Sequence, residues 1–418
     1  LASNREGFEG ARRERARLTP AVDWRRNLVA LWFAEFTAIF GFSFAFPFMS
    51  IFISQDLGIH PGRDLDLWTA AAGSVSGLTM AIASPIWGVL GDRLGRKPML
   101  IRSMLGGAIT VGLIFFVQTP IQLVVLRFLQ GATSGTVAAA TALVAVETPR
   151  NRVGWALGVV TSAVALGSAV GPVVGGIAGA VFGLRLVFLG GGILLLIAMI
   201  PVLLVVRESP LKVRDASRPG TLAMIRQRPG ALRSLVVLIG AQGLITVVNS
   251  ATQQLIVLRL IEMLGRAASS VTGIAFGAAG LTNSVSAIGY TTVTRRIGYV
   301  RMLTLASVLL AVTIGTLVVA PNAVWVVIAV GVAGLLYGAF VPATASMIGL
   351  ETPIEAQSTV FGFNASAVAF GFFLGPLIGG GIAATSDIRV ALVVTAALAL
   401  GLAFLVLLGT REPRIERP

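Results

Sequence analysis

Twelve long apolar stretches alternate with short polar breaks along this chain. They run about 27–53, 67–90, 99–117, 121–146, 153–181, 186–206, 232–261, 269–293, 302–320, 322–349, 358–384 and 390–409. A helix needs about 20 apolar residues to cross the hydrocarbon core of a bilayer, and each stretch is close to that length or beyond it. Gly and Pro recur inside them, which membrane helices tolerate better than soluble ones. The pattern predicts an all-α integral membrane protein with twelve transmembrane helices.

The longest polar interruption, about 207–231, falls at mid-chain. It reads as a linker between two halves, and the halves repeat. Gly77-Leu78-Thr79 returns as Gly280-Leu281-Thr282, and Glu147-Thr148-Pro149 as Glu351-Thr352-Pro353. The run Gly167-x-x-x-Gly171-Pro172-x-x-Gly175-Gly176 returns as Gly371-x-x-x-Gly375-Pro376-x-x-Gly379-Gly380. A duplicated unit with an even number of helices gives parallel repeats about an axis along the membrane normal. The predicted organisation is a tail over 1–26, a six-helix bundle over 27–206, a linker over 207–231, a second pseudo-symmetric bundle over 232–409 and a tail over 410–418. That architecture suits an alternating-access carrier with its site between the halves.

Composition narrows the classes. The 418 residues are 56% hydrophobic and 12% charged, with no cysteine and one histidine, His60. Disulfides, thiol nucleophiles and metal clusters are therefore not expected, and no cofactor is. A net charge of +14 raises nucleic acid as a partner, but the placement of the bases argues for topology instead. The termini and even-numbered loops carry most of them, whereas the other side has only Arg63, Arg185, Arg259, Arg266 and Arg389. The positive-inside rule then predicts both termini in the cytoplasm of a multi-pass cell (inner or plasma) membrane protein. The arginine-rich start lacks the apolar core of a cleaved signal peptide. No Walker sequence offers ATP drive, and nothing points to an enzyme.

Several residues stand out chemically. Glu35 is an acid well inside the first span and Arg127 a base well inside the fourth; intramembrane charges are costly and are functional candidates by default. If the two spans face one cavity, the pair could join when Glu35 is ionised and part when it takes a proton; a static ion pair is the alternative. Between the second and third spans, Gly88, Gly91, Asp92, Arg93, Gly95, Arg96 and Lys97 form a glycine-rich turn with one acid and three bases. Such a turn reads as a polar clasp or as an ordinary positive-inside loop. In the second half the clasp is degraded, with Arg295 in the place of Asp92 and Tyr299-Val300 in that of Arg96-Lys97. Gly167, Gly171, Pro172, Gly175 and Gly176 read as a close-packing, bent stretch. Phe42, Phe46, Met49, Gln130, Gln242, Asn249, Gln253, Tyr337, Phe361 and Asn364 are candidates for a broad apolar cavity with a few amides. Any one of them could instead pack helices or face lipid.

These motifs carry a resemblance. Gly88-Val89-Leu90-Gly91-Asp92-Arg93-Leu94-Gly95-Arg96-Lys97 resembles the loop between helices 2 and 3 of major facilitator superfamily transporters. Arg127-Phe128-Leu129-Gln130-Gly131 resembles that superfamily's helix 4 motif, which is linked to proton transfer. The Gly167–Gly176 run resembles the antiporter motif of its drug:proton exporters. Asp23-Trp24-Arg25-Arg26-Asn27-Leu28, Ala83-Ser84-Pro85-Ile86-Trp87-Gly88 and Gly154-Trp155-Ala156-Leu157-Gly158 look like the MdtG-type multidrug exporters. The resemblance implies the major facilitator fold, the clasp as a conformational latch, and proton-coupled export of drugs or other amphipathic molecules; with no sequence signal for an obligate oligomer, a monomer is expected. An amphiphile or lipid exporter or flippase of the same fold is the nearest alternative, and a proton-coupled nutrient symporter a more distant one. Glu35 is not a feature of that branch, so either the proton site differs in this chain or Glu35 instead tunes substrate charge.

Overall fold

The computed structural model describes residues 23–149, 152–209, 231–352 and 357–412. The expected N-terminal basic tail, most of the linker and the last residues lie outside them. Twelve helices among the described residues are long and apolar enough to cross a membrane. In the first half these are α1 (Trp24–Ala45, continued by Met49–Gln55), α2 (Arg63–Leu94), α3 (Arg96–Leu113), α4 (Pro120–Thr133 and Thr136–Glu147), α5 (Val153–Phe182) and α6 (Leu184–Leu204). The second half has α7 (Ala231–Leu264), α8 (Ala268–Ile297), α9 (Tyr299–Val318), α10 (Ala323–Glu351), α11 (Gln357–Thr385) and α12 (Ile388–Gly409).

The helix ends follow local chemistry. Asp23 caps α1 by accepting from the Arg25 and Arg26 amides at 3.0 and 3.4 Å. Thr119 and Gln122 form a capping box at α4, with Pro120 leading the helix. Helices α2 and α3 are joined by a single residue, Gly95, at φ +103, and α8 and α9 by Gly298 at φ +87. No side chain adopts that backbone comfortably, so glycine permits the direct junction. Helix α2 starts at Arg63, earlier than the apolar pattern, which begins near Leu67. Its polar first turn holds Asp64 and Asp66, and acids suit a helix N-terminus. Hydropathy marks where a helix is greasy, not where it begins.

Within each half, glycines let backbones meet. A Cβ on Gly167 would lie 2.9 Å from the Phe36 carbonyl oxygen, and one on Gly171 2.9 Å from that of Phe40, so α5 lies directly against α1. The repeat is structural: Gly371 and Gly375 seat α11 on α7 at Gly243, Val247 and Ser250. Small residues of this kind are how membrane helices gain packing contact.

Between the halves, α2 packs on α11 and α5 on α8, and the contacts gather away from the chain termini. A Cβ on Gly73 would meet Pro376 at 2.8 Å, and one on Gly176 the Gly273 Cα at 3.0 Å. Gln55 Nε2 donates across the joint to the Gly265 carbonyl at 3.3 Å. Toward the terminal end the same four helices have glycines with open space around them: Gly88, Gly158, Gly289 and Gly362. Ile86 and Val89 on α2, and Val285 and Ile288 on α8, are exposed there. The halves are closed at one end and parted at the other.

Candidate functional site

Helix α1 supplies one wall. Glu35, Phe42 and Phe46 fall within a narrow arc of its surface at 100° per residue. Phe42 reaches α3, where a Cβ on Gly107 would touch its ring at 3.0 Å, and its own ring stacks on Phe46 at 5.6 Å. Met49 leaves this arc, because a 3-10 turn over Phe46–Phe48 interrupts the helical register.

Glu35 is fully buried, and neither carboxyl oxygen has a hydrogen-bond partner. A polar group enclosed this way costs several kcal/mol when charged and unpaired. Arg127 is not its partner in this conformation. The guanidinium lies over Phe46, 4.5 Å from the ring centre, eleven residues beyond Glu35 and thus roughly 16 Å along the helix. Its nitrogens donate to the Ala72 carbonyl at 3.0 Å, to Ser76 Oγ at 2.6 Å and to the Gln130 side-chain oxygen. Arg127 and Gln130 therefore tie α4 to α2.

The amides expected on α7 divide. Gln242 is buried and accepts from Thr344 Oγ1 of α10 at 2.5 Å. Gln253 is exposed and bonds Asn249 within α7 at 3.1 Å. Tyr337 is buried inside the second half, whereas Phe361 is exposed on α11 near the parted end. Asn364 has a buried side-chain oxygen with no partner. The structure therefore distributes these residues over helices of both halves.

The clasp is organised by an acid outside it. Glu208, just past α6, accepts from the Arg96 and Lys97 amides at 2.7 and 2.9 Å, capping α3. Lys97 Nζ reciprocates, donating to the Leu203 and Val206 carbonyls at 3.2 and 2.7 Å at the end of α6. Arg93 is exposed at the parted end; the Asp92 side chain lies outside the described ones. In the second half Glu412, just past α12, accepts from the Tyr299 and Val300 amides at 2.6 and 3.0 Å. Sequence reasoning missed both caps, although the signal was present: Arg207-Glu208 and Arg411-Glu412 follow the sixth and twelfth spans. It also gave no role to the repeated Glu147 and Glu351. Glu147 accepts from Ser209, through its amide at 2.8 Å and its hydroxyl at 2.7 Å, and Glu351 accepts from Ser234 at 2.8 Å.

The Gly167–Gly176 stretch has two faces. Gly167, Gly171 and Gly175 serve α1 within the half, while Gly176 and the Pro172 carbonyl meet α8 of the other half at Gly273.

The family model of the Major Facilitator Superfamily matches residues 31–291 and 243–418. Multidrug resistance protein MdtG of Dickeya zeae (strain Ech586) is 32% identical over 399 residues, 94% of this chain and 97% of its own. MdtG of Proteus mirabilis (strain HI4320) is 32% identical over 381 residues, 90% and 93% of the two chains. Among solved structures, the nucleoside transporter NupG has a TM-score of 0.73 at 15% identity, covering 92% of this chain and 100% of that one. An auto-inhibited POT family peptide transporter has a TM-score of 0.75 at 17% identity, covering 94% and 99%. These structural likenesses establish the fold.

Proposed function

The chain belongs to the Major Facilitator Superfamily, and from that premise we propose that it is a proton-coupled exporter of drugs or other amphipathic small molecules. It is a multi-pass membrane transporter, not an enzyme. The finer reading draws on relatives named for multidrug resistance and above all on one observation, the sealed and unpartnered carboxyl of Glu35.

The basic end of the molecule, with both termini, faces the cytoplasm under the positive-inside rule. The parted end is then the inner one, and this conformation would open inward. Glu35 carries the coupling proton. With the proton bound its carboxyl is neutral and tolerates enclosure; without it the side chain needs water or a cation, so the sealed packing around α1 loosens. Arg127 acts on that event indirectly. It lies against Phe46 on the Glu35 face of α1 and holds α2 through Ala72 and Ser76, so a shift of α1 reaches the α2–α11 joint. The halves rock about the joint and expose the space between them to each side in turn.

The test is export of a fluorescent cationic dye from proteoliposomes under an imposed pH gradient, with intact protein and Glu35→Gln. Gradient-driven export that disappears in Glu35→Gln while dye binding persists is the expected result. Unchanged export in the variant removes Glu35 from the mechanism, and export indifferent to the gradient in both proteins removes proton coupling.

A further inference from the structure

The exporter reading leaves a group of carboxylates at the closed end without a role. Asp66 sits in the first turn of α2, only 6% exposed, and no described ion pair includes it. It packs on the opposite half: a Cβ on Gly380 of α11 would lie 2.9 Å from the Asp66 carbonyl oxygen and 2.7 Å from Ala70 Cβ. Glu262 on α7 and Asp387 at the start of α12 both act on its carboxylate as like charges. Helix α11 contributes no titratable group. Among the described side chains, the cations nearby are otherwise engaged or face outward. Arg259 is bound to Glu262 at 2.9 Å, Arg185 pairs with Asp56 at 3.5 Å, and Arg63 and Arg389 are exposed, as is Asp64. A second observation points to the same place. Gln254 of α7 is 8% exposed and its Nε2 has no partner, although it lies against the Gly380–Asp66 contact.

We propose that Asp66 is a second proton-binding residue of this transporter, and that its proton holds the closed end shut. An ionised Asp66 at the joint would add to the like charges of Glu262 and Asp387 on the opposite half, both exposed, and the partly screened repulsion between them opposes closure. A proton on Asp66 removes that repulsion and lets α2 seat on α11. When the end opens, water from that side reaches Asp66. The gate itself follows from the joint alone. That its protons come from outside the cell rests on the exporter reading.

The chain has no native cysteine, so spin labels at Gln118→Cys and Pro321→Cys, on exposed loops of opposite halves, report the closed end. Distances are measured by electron–electron double resonance in nanodiscs between about pH 5 and about pH 9, a span wide enough for a perturbed carboxylate. The full-length protein should show the short distance at low pH and gain a longer one as pH rises. Asp66→Asn should stay short throughout. Asp387→Asn removes a surface charge with no capping bond. It should reduce the open population at high pH by about two- to fivefold, as expected for losing one partly screened like charge. A pH-independent distance in the unmutated protein, an Asp66→Asn that still responds, or an Asp387→Asn with an unchanged open population overturns the proposal. Loss of gradient-driven export with the distance response intact would overturn the antiport reading alone.

Discussion

Glu208 and Glu412 offer a comparison the molecule has set up itself. Each carboxylate accepts two backbone amides at the start of a helix, and the geometry is the same in both halves. Replacing either by Gln removes the charge and one acceptor. Charge-assisted bonds to a helix N-terminus are worth about 1–2 kcal/mol when partly buried, and about half that when exposed. The Glu208 bonds are partly buried and the Glu412 bonds exposed, so Glu208→Gln should cost about 1–2 kcal/mol and Glu412→Gln about 0.5–1 kcal/mol. The first junction has a further support. Lys97 caps the carbonyls of α6 and its counterpart is Val300, so Lys97→Met should cost about 1 kcal/mol more. Thermal unfolding in detergent reads this as roughly 2–4 °C per kcal/mol for units of this size. The Glu208→Gln/Lys97→Met double variant should depart from additivity, because both side chains serve one junction. A silent Glu412→Gln beside a damaging Glu208→Gln would refute the capping account and return the effect to the charges of the clasp.

Other outcomes follow from packing and charge. Gly171→Val should destabilise by about 1–3 kcal/mol, since its Cβ meets α1 backbone; Gly158→Ala, with open space around it, should be neutral or gain up to about 1 kcal/mol by unfolding assay. Arg127→Lys should lose transport nearly as fully as Arg127→Met, because one ammonium cannot span Ala72, Ser76 and Gln130 as the planar fork does; rescue by lysine in a dye-export assay would argue for a simple charge. Burial lifts the Asp56 carboxyl above its ordinary range, and Arg185 pulls it partway back. An acid raised in this way holds its proton better folded than unfolded, so its contribution to stability falls as pH rises from its unfolded value through its folded one. Asp56→Asn should flatten that part of the stability–pH curve, and an unaltered curve would count against the burial argument.

The fold was legible because membrane helices announce themselves in long apolar runs and because the halves repeat. Glu35 was legible for the same reason: a carboxylate surrounded by apolar residues stands out in any window. Asp66 was not. It sits among Arg63, Asp64 and Gly62, and in sequence that reads as a loop. Only the packing of α2 on α11 buries it. Glu208 and Glu412 were hidden differently, since a cap joins residues more than a hundred positions apart and leaves no local pattern. The possible Glu35–Arg127 pairing rested on facing helices; the helical rise separates the two by several turns in this conformation.

Gly175 and Gly176 are neighbours that answer to different demands. The first lies against α1 of its own half and the second against α8 of the other; in the second half Gly379 lies against α7 of its own half, while Gly380 meets both α7 and, across the seam, α2 of the other half. A match to this motif therefore counts two things together: the assembly of a bundle, which a carrier of either direction needs, and the hinge-like seam between bundles. Most of its glycines speak to the first. Of the motif's fixed residues, only Pro172, Gly176 and their counterparts touch the seam, so a relative that kept the other glycines but lost these would score nearly as well while lacking the seam contacts seen here.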